Sequence, residues 1–335
     1  MYHVIQPTTL AQREQFRAAP GFVPINDTQL AEQTPDDLGM VCDDAENALG
    51  RCSLWWRQAP PHAEHRLGLI GHYENTGDAT AARVLLQWAC QQLTEQGCTL
   101  AVGPMDGNTW RRYRLITERG SEPPFFLEPD NPDAWPTHFQ DAGFTPLAQY
   151  YSALNDNLEQ HDPRIPELIE KLSIAGITIR PLNHARFTEE LHHIHTVSID
   201  SFRNNFLYTP LSQEEFLHMY QPLQRYIQPE LVLLAERAGA TVGFIFALPD
   251  LAQAQRGMAV DTIIIKTVAV ASALSGSGLG SWLAHACHEA ARALGYRRAI
   301  HALMHEGNRS RKISVHTARV IRRYTLYARP LGILP

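Results

Sequence analysis

A mixed α/β fold class, arranged as two tandem domains, is what the 335-residue sequence predicts, and three observations lead there. The chain is too long for one core of ordinary size. Strand-like and helix-like segments follow one another in both halves. A segment of the first half is also echoed in the second. Gln96-Gly97-Cys98-Thr99-Leu100-Ala101-Val102-Gly103-Pro104-Met105-Asp106-Gly107-Asn108 parallels the stretch from Leu294-Gly295 through Met304-His305-Glu306-Gly307-Asn308. Each reads helix end, Gly, strand, Met, acidic residue, Gly, Asn, and a match inside a shared element order points to a repeat.

In the first half, Leu67–Tyr73 has the character of a strand, Ala81–Leu93 of a helix closed by Gly97, and Leu100–Gly103 of a second strand. Asn155-Asp156-Asn157 and His161-Asp162-Pro163 are linker chemistry, followed by a short helical stretch from Ile165 to Leu172 and a strand from Ile177 to Arg180. The expected division is therefore a domain over 1–158, a linker with a short helix over 159–176, and a domain over 177–335. In the second domain Leu231–Glu236 and Val242–Leu248 form a hairpin across Arg237-Ala238-Gly239-Ala240. Thr262–Val270 is almost wholly apolar, as a buried central strand is. Leu279, Leu283, Ala286, Cys287, Ala290 and Leu294 recur at helical spacing, and Gly295 closes that helix. Arg298–Met304 and Arg319–Ala328 are the last strands.

Hydrophobic residues at 44% and charged residues at 19% give the balance of a soluble globular protein. The formal net charge of -6, with no basic run, argues against a nucleic-acid partner. The five cysteines form no CxxC pair, and Cys90 and Cys287 lie among apolar helical residues, so they read as buried thiols. His192 and His195 share a helix with no nearby Cys or paired carboxylates, which reads as a solvated helix face rather than a metal site. No signal peptide and no apolar stretch of membrane-spanning length is visible, and the expectation is a cytoplasmic protein with no membrane partner. The oligomeric state stays open.

The segment richest in chemistry is Thr267-Val268-Ala269-Val270-Ala271-Ser272-Ala273-Leu274-Ser275-Gly276-Ser277-Gly278-Leu279-Gly280-Ser281. An apolar strand enters a loop with glycine at alternate positions, and a helix starts directly after it. Such glycines let successive N–H groups converge on an anion, and the helix N-terminus adds its dipole. A Walker loop would need Gly-Lys-Ser/Thr, and no Lys follows. A dinucleotide fold places its glycines after the first strand of a domain, whereas these come late. The diphosphate of coenzyme A remains.

At these residues the sequence resembles the GNAT (N-acetyltransferase) superfamily, from about Ile177 to Ala328. The family's Gln/Arg-x-x-Gly-x-Gly/Ala loop maps to Ser275–Gly280, its strand ending to Val268-Ala269-Val270, and an Asn that opens its last helix to Asn308. The resemblance implies two tandem GNAT-like domains, each a mostly antiparallel twisted sheet flanked by helices. It also implies acetyl-CoA or another acyl-CoA bound by Val268, Ala269, Val270, Ser275, Gly276, Ser277, Gly278, Leu279, Gly280, Ser281 and Asn308, with the pantetheine arm in the splay between two strands. The implied activity is acyl transfer to the amine of a small molecule or peptide; a non-catalytic acyl-CoA sensor or scaffold is the alternative. Two departures stand out. Ser275 replaces the Gln or Arg, and the family's Leu-Tyr-Glu-Lys-x-Gly-Phe motif is absent, with Val315 at the Tyr position beside Ser314 and His316. In the first half, His138-Phe139-Gln140-Asp141-Ala142-Gly143-Phe144 is similar to that motif. The loop there, Glu74-Asn75-Thr76-Gly77-Asp78, carries two carboxylates that would repel a diphosphate, so the first domain reads as a degenerate copy.

Direct transfer needs a base, an acid and oxyanion donors. Asp261, Glu236 and His301 are candidate bases, and Tyr324, Tyr327 and His316 candidate acids; Asp261, Tyr324 and His316 are the catalytic residues expected here. Phe202–Pro210, a polar-aromatic loop, reads equally as an acceptor-pocket border or a packed connection. Trp55, Trp56, Trp110, Arg111 and Arg112 read by default as core packing and solvated charge, with the lining of an interdomain surface as the alternative.

Overall fold

The structure is a computed structural model that describes residues 1–160, 162–307 and 318–332. In the first half, β1 (His3–Ile5), α1 (Leu10–Ala18) and α2 (Asp27–Gln33) precede β2 (Asp37–Cys42), β3 (Ala48–Trp55) and β4 (Leu67–Asn75). They are followed by α3 (Ala79–Glu95), β5 (Leu100–Gly103), β6 (Leu115–Glu118), α4 (Trp135–Asp141) and β7 (Thr145–Asn155). The second half runs α5 (Ile165–Ile174), β8 (Ile177–Pro181), α6 (Phe187–Phe202), α7 (Gln213–Tyr220), β9 (Val232–Arg237) and β10 (Ala240–Pro249). It ends with α8 (Leu251–Gln255), β11 (Thr262–Val270), α9 (Leu279–Ala293), β12 (Arg298–His305) and β13 (Arg319–Pro330).

All the described strands belong to one sheet, in the order β1-β2-β3-β4-β5-β13-β7-β12-β11-β10-β9-β8, with β6 added on β13. Its pairings are antiparallel except at two places, β4 with β5 and β11 with β12. Each parallel pair is bridged by one helix, α3 or α9, as parallel neighbours require. This is the repeat that the echoed segments signalled.

The two halves exchange their last strands. β7, which ends the first half, pairs with β12 of the second, and β13, which ends the second, pairs with β5 of the first. The division at 158 and 177 follows the chain, but the sheet does not break there. α3 and α9 cover one face; Leu85, Ala89 and Leu93 pack there with Phe139 and Tyr327, and Leu279, Leu283, Cys287 and Ala291 with Ile263 and Ile265. α6 and α7 lie on the opposite face, where Leu191, Ile194 and Phe216 meet Phe244 and Phe246. The stripe Leu279, Leu283, Cys287, Ala291 has four-residue spacing, which places it on one side of a helix. Gly295, at φ 92°, takes the left-handed conformation just past the helix end.

Because each half completes its sheet with a strand of the other, residues 1–158 and 177–335 expressed apart are expected to lack fixed tertiary structure. Near-ultraviolet circular dichroism of each piece, and of the two mixed, checks this: signal is expected only on mixing.

Candidate functional site

β11 and β12 pair only from Thr262↔Arg298 to Ile265↔His301. Beyond that point β11 stays with β10 as far as Val270, while β12 leans onto β7 through His305. Irregularities on both strands accompany the parting. Lys266 is an extra residue in β11, between the pairs Ala247↔Ile265 and Phe246↔Thr267. β12 bulges between His301 and Met304, with Leu303 at φ 59°. Bulges of this kind bend a strand and end its pairing.

The gap opens into a cavity of about 620 Å³. Lys266, Thr267, Val268, His301, Leu303 and His305 come from the parted strands, and Ala284 from α9. Phe202, Asn205, Phe206 and Tyr208 come from the end of α6 and the loop after it, so that loop borders a pocket. Trp110, Arg111, Arg112, Tyr113 and Arg114 come from the first half, as do Leu127, Glu128 and Tyr150. Trp110 and the two arginines after it depart from the default of packing and solvent and match the alternative of a surface between the two halves. They stand in the wall because strand exchange carries the first half to the gap, which no local pattern announces. Trp55 fits the core reading: it is fully buried, with its Nε1 donating to the Gln33 carbonyl.

The glycine loop lies just past β11. Gly276 and Gly278 have φ of 82° and 92°, and Gly278 starts α9 with no side-chain cap. Among the described residues the N–H groups of Gly276, Gly278 and Gly280 make no hydrogen bond. Leu279 N–H donates to Ser277 Oγ and Ser281 N–H to the Gly278 carbonyl, while the Leu279 side chain is core. A β-carbon on Gly278 would run into Leu168 of α5. Ala271 N–H donates to Val242, so by strand alternation the Val268 and Val270 N–H groups point away from β10 and that of Ala269 toward it. Val270 N–H reaches Ser201 Oγ at 3.4 Å. Asp200 ties α6 to the loop by accepting from Ser272 N–H (2.6 Å) and Oγ (2.9 Å). Uncapped amides at a helix start and a free strand edge leading to them suit the diphosphate and arm of an acyl-CoA.

The corresponding place in the first half is closed. Asp78 caps α3, accepting from Thr80 and Ala81 N–H. The gap beyond β4 and β5 is filled by the chain itself, with Met105 N–H donating to the Ile70 carbonyl (2.8 Å) and His72 N–H to Asp106 Oδ1 (2.6 Å). A β-carbon on Gly71 would collide with the Met105 carbonyl. Glu74 is buried against Arg112 at 3.2 Å.

Of the predicted catalytic residues, Asp261 and Tyr324 are not brought together. Asp261 is outside the cavity wall, at the far end of β11. Its Oδ1 accepts from Gln253 Nε2 and Thr262 Oγ1, each at 2.7 Å. Burial opposes its ionisation, but these bonds and the Arg298 charge hold the carboxyl below its ordinary value. Tyr324 is fully buried behind the wall. Ser152 Oγ accepts from Leu303 N–H and bonds to the Tyr324 hydroxyl, which donates to Glu128. Burial first, and then the Glu128 charge, raise this phenol's pKa. Glu236 is paired with Arg180 at 2.8 Å, and Tyr327 stacks on Phe139 in the first-half core. Asn308, Ser314, Val315 and His316 lie outside the described residues. Among the other candidates only His301 is in the wall. It is 4% exposed, has no partner for Nε2, and meets the His288 ring edge-on at 5.5 Å. Burial lowers its pKa to about 4 and that of His288 to about 3. His195 bonds the Leu211 carbonyl, and no His/Cys/Asp/Glu group among the described residues is arranged to hold a metal. The five cysteines are free and buried, and no helix among the described residues is long and apolar enough to cross a membrane.

Comparison with known proteins places these features. A sequence model of the acetyltransferase (GNAT) family matches residues 196–313. The chain is 23% identical over 190 residues to protein YghO of Escherichia coli K12, covering 56% of this chain and 48% of that protein. It is 25% identical over 212 residues to the bacterial ceramide synthase of Caulobacter vibrioides, covering 62% and 54%. The chain thus spans about half the length of the curated relatives it matches. Among solved structures, a tandem GNAT protein from the clavulanic acid biosynthesis pathway shares the fold over 100% of both chains, with a TM-score of 0.52 and 13% identity. A probable N-acyltransferase from Enterococcus faecalis gives a TM-score of 0.58 at 12% identity, over 99% of this chain and 73% of that one.

Two stability outcomes follow. Arg322 and Glu128, each 1% exposed, pair at 2.9 Å. Arg322→Met strands a buried carboxylate and is expected to cost about 3–5 kcal/mol in urea unfolding, with Arg322→Met/Glu128→Leu recovering most of it. His288 and His301 stay neutral in the folded protein, whereas an unfolded imidazole takes up a proton near its ordinary pKa of 6.5. Stability should therefore fall as pH drops from about 6.5 toward about 4, and His301→Phe should flatten that limb in melting curves taken across the range.

Proposed function

Since the chain is a GNAT-superfamily protein in tandem form, we propose that it is an acyl-CoA-dependent N-acyltransferase whose one working site is the β11/β12 gap. The observation that carries this reading is the contrast between two equivalent helix starts. The α9 start is uncapped, with the Gly276, Gly278 and Gly280 amides unpartnered, whereas Asp78 caps α3. The donor is acetyl-CoA or a longer acyl-CoA. A cavity of about 620 Å³ lies within the range that holds a drug-sized ligand, ample for an acyl group together with its acceptor. The ceramide synthase among the relatives is consistent with a larger acyl group or amine.

The residues that would hold the donor are the loop from Ser275 to Ser281 at the diphosphate and the edge of β11 along the arm. The bound thioester would supply an activated acyl carbon. Val268, whose N–H points into the gap, is placed to donate to an oxyanion. On the α6 face His305 stands in the wall, its ring 4.9 Å from Tyr150 and 5.8 Å from Phe206. Burial and the Arg114 charge lower its pKa, so it is neutral at pH 7 and able to take the proton of an attacking amine. Attack forms the C–N bond and breaks the C–S bond. The sulfur leaves with the electron pair and takes up one proton, while the amine loses one.

The test is calorimetric titration of acetyl-CoA and palmitoyl-CoA into wild type, Gly276→Asp and Gly276→Asn. Nothing stands within 4 Å of a β-carbon at Gly276, so both variants share the same left-handed strain without a clash. The aspartate is expected to weaken binding at least tenfold and the asparagine far less. Equal binding by all three proteins would place the donor elsewhere, and no binding of either donor by folded wild type would overturn the reading.

A further inference from the structure

The charges lining the cavity do not balance. Arg111, Arg112, Arg114 and Lys266 stand in the wall with a single carboxylate, Glu128. That carboxylate is spent on Arg322 and the Tyr324 hydroxyl, and Arg112 is spent on Glu74 and Asp106. Arg114 has no carboxylate partner among the described residues. It is only 7% exposed, its guanidinium lies over the Tyr113 and Tyr150 rings at 4.1 and 4.3 Å, its Nη1 donates to the Tyr113 hydroxyl at 2.9 Å, and its buried Nε has no hydrogen-bond partner. Among the described residues Lys266 reaches only a main-chain oxygen, that of Leu127, at 3.3 Å. A buried cation without a countercharge is costly unless something supplies one.

The two cations lie on the sheet face opposite α9. Tyr150 and Leu154 alternate on that face of β7, packed respectively with Phe206 and Leu207 and with Phe125 and Ile264. Arg114 stacks on Tyr150, and Lys266 extends to Leu127 beside Phe126. The glycine loop and Ile265 belong to the α9 side. The anion cradle for the donor and this second cationic place are therefore separated by the sheet, with the gap between them.

We infer that the acceptor is an amine carrying its own anionic group, a carboxylate or a phosphate, held by Arg114 and Lys266 on the α6 face of the gap. The bidentate fork of Arg114 suits either oxyanion, and the Tyr113 and Tyr150 rings fix its plane. The same positive surroundings disfavour a protonated ammonium nearby and so favour the free amine needed for attack. This specificity rests on the acyltransfer reading, but it concerns residues that do not touch the donor loop.

The test needs no turnover. Matched probes are titrated into the full chain saturated with coenzyme A: N-acetyl amino acids, their neutral amides, and N-acetyl phosphoethanolamine. The proteins are wild type, Lys266→Met, and Arg114→Lys where it folds; Lys266 is half-buried, so its variant keeps the question open if Arg114→Lys does not fold. Expected is at least tenfold tighter binding of one anionic series over the amides in wild type, with Lys266→Met erasing most of that preference. Preference for the carboxylates or for the phosphate identifies which anion the acceptor bears. Amides binding as well as the anions, an anion preference untouched in Lys266→Met, or no binding of any anionic probe would each overturn the inference. Since coenzyme A binding is measured first, loss of the donor reading shows as a separate failure.

Discussion

The parting of β11 from β12 is the constraint on which the rest of the molecule depends. Two parallel strands share four residue pairs and then go to different partners, β11 to β10 and β12 to β7. A strand that loses its neighbour exposes N–H and C=O groups that must be satisfied. Here the need is met partly by Ser201, and the remaining edge faces a cavity. The bulges at Lys266 and Leu303 make the parting possible, and the chain Leu303–Ser152–Tyr324–Glu128–Arg322 fixes the β12 side of it. Tyr324 is in this account a positioning residue of the wall.

The chain holds two such partings, and the two have opposite fates. In the first half the chain just after β5 turns back into the gap, Met105 and Asp106 bond across it, and Asp78 supplies the charge that the α3 N-terminus would otherwise seek from a ligand. In the second half Gly278 stands where Asp78 would be, and its position offers no side-chain cap to α9. The first half nevertheless serves the open site, because exchange of β7 and β13 brings Trp110 to Arg114 and Leu127 to Pro129 against the gap.

What could be read from the sequence was local. Alternating glycines between an apolar strand and an amphipathic helix require only neighbouring residues to be interpreted, and the positions assigned to the loop, Gly276 and Gly278, take the left-handed backbone that such a loop uses. The repeat was legible because both helix-to-strand units kept the same punctuation. What the sequence could not show was non-local. Asp261 resembled a strand-entry base, but its carboxylate is held by Gln253 on α8. Tyr324 resembled an acid, yet its partner Glu128 lies 196 residues earlier in the chain. Arg114 carried no signal at all: its significance comes from the rings of Tyr113 and Tyr150 and from the absence of a carboxylate partner among the described residues, both set by tertiary packing.

Amide hydrogen exchange with and without coenzyme A tests the central claim most directly, because it reads both equivalent places in one experiment. Protection is predicted over residues 266–281, with none over 75–82 where α3 is already capped. Protection at 75–82, or in neither segment while the ligand is bound, would contradict the assignment of the open gap between β11 and β12 as the working site.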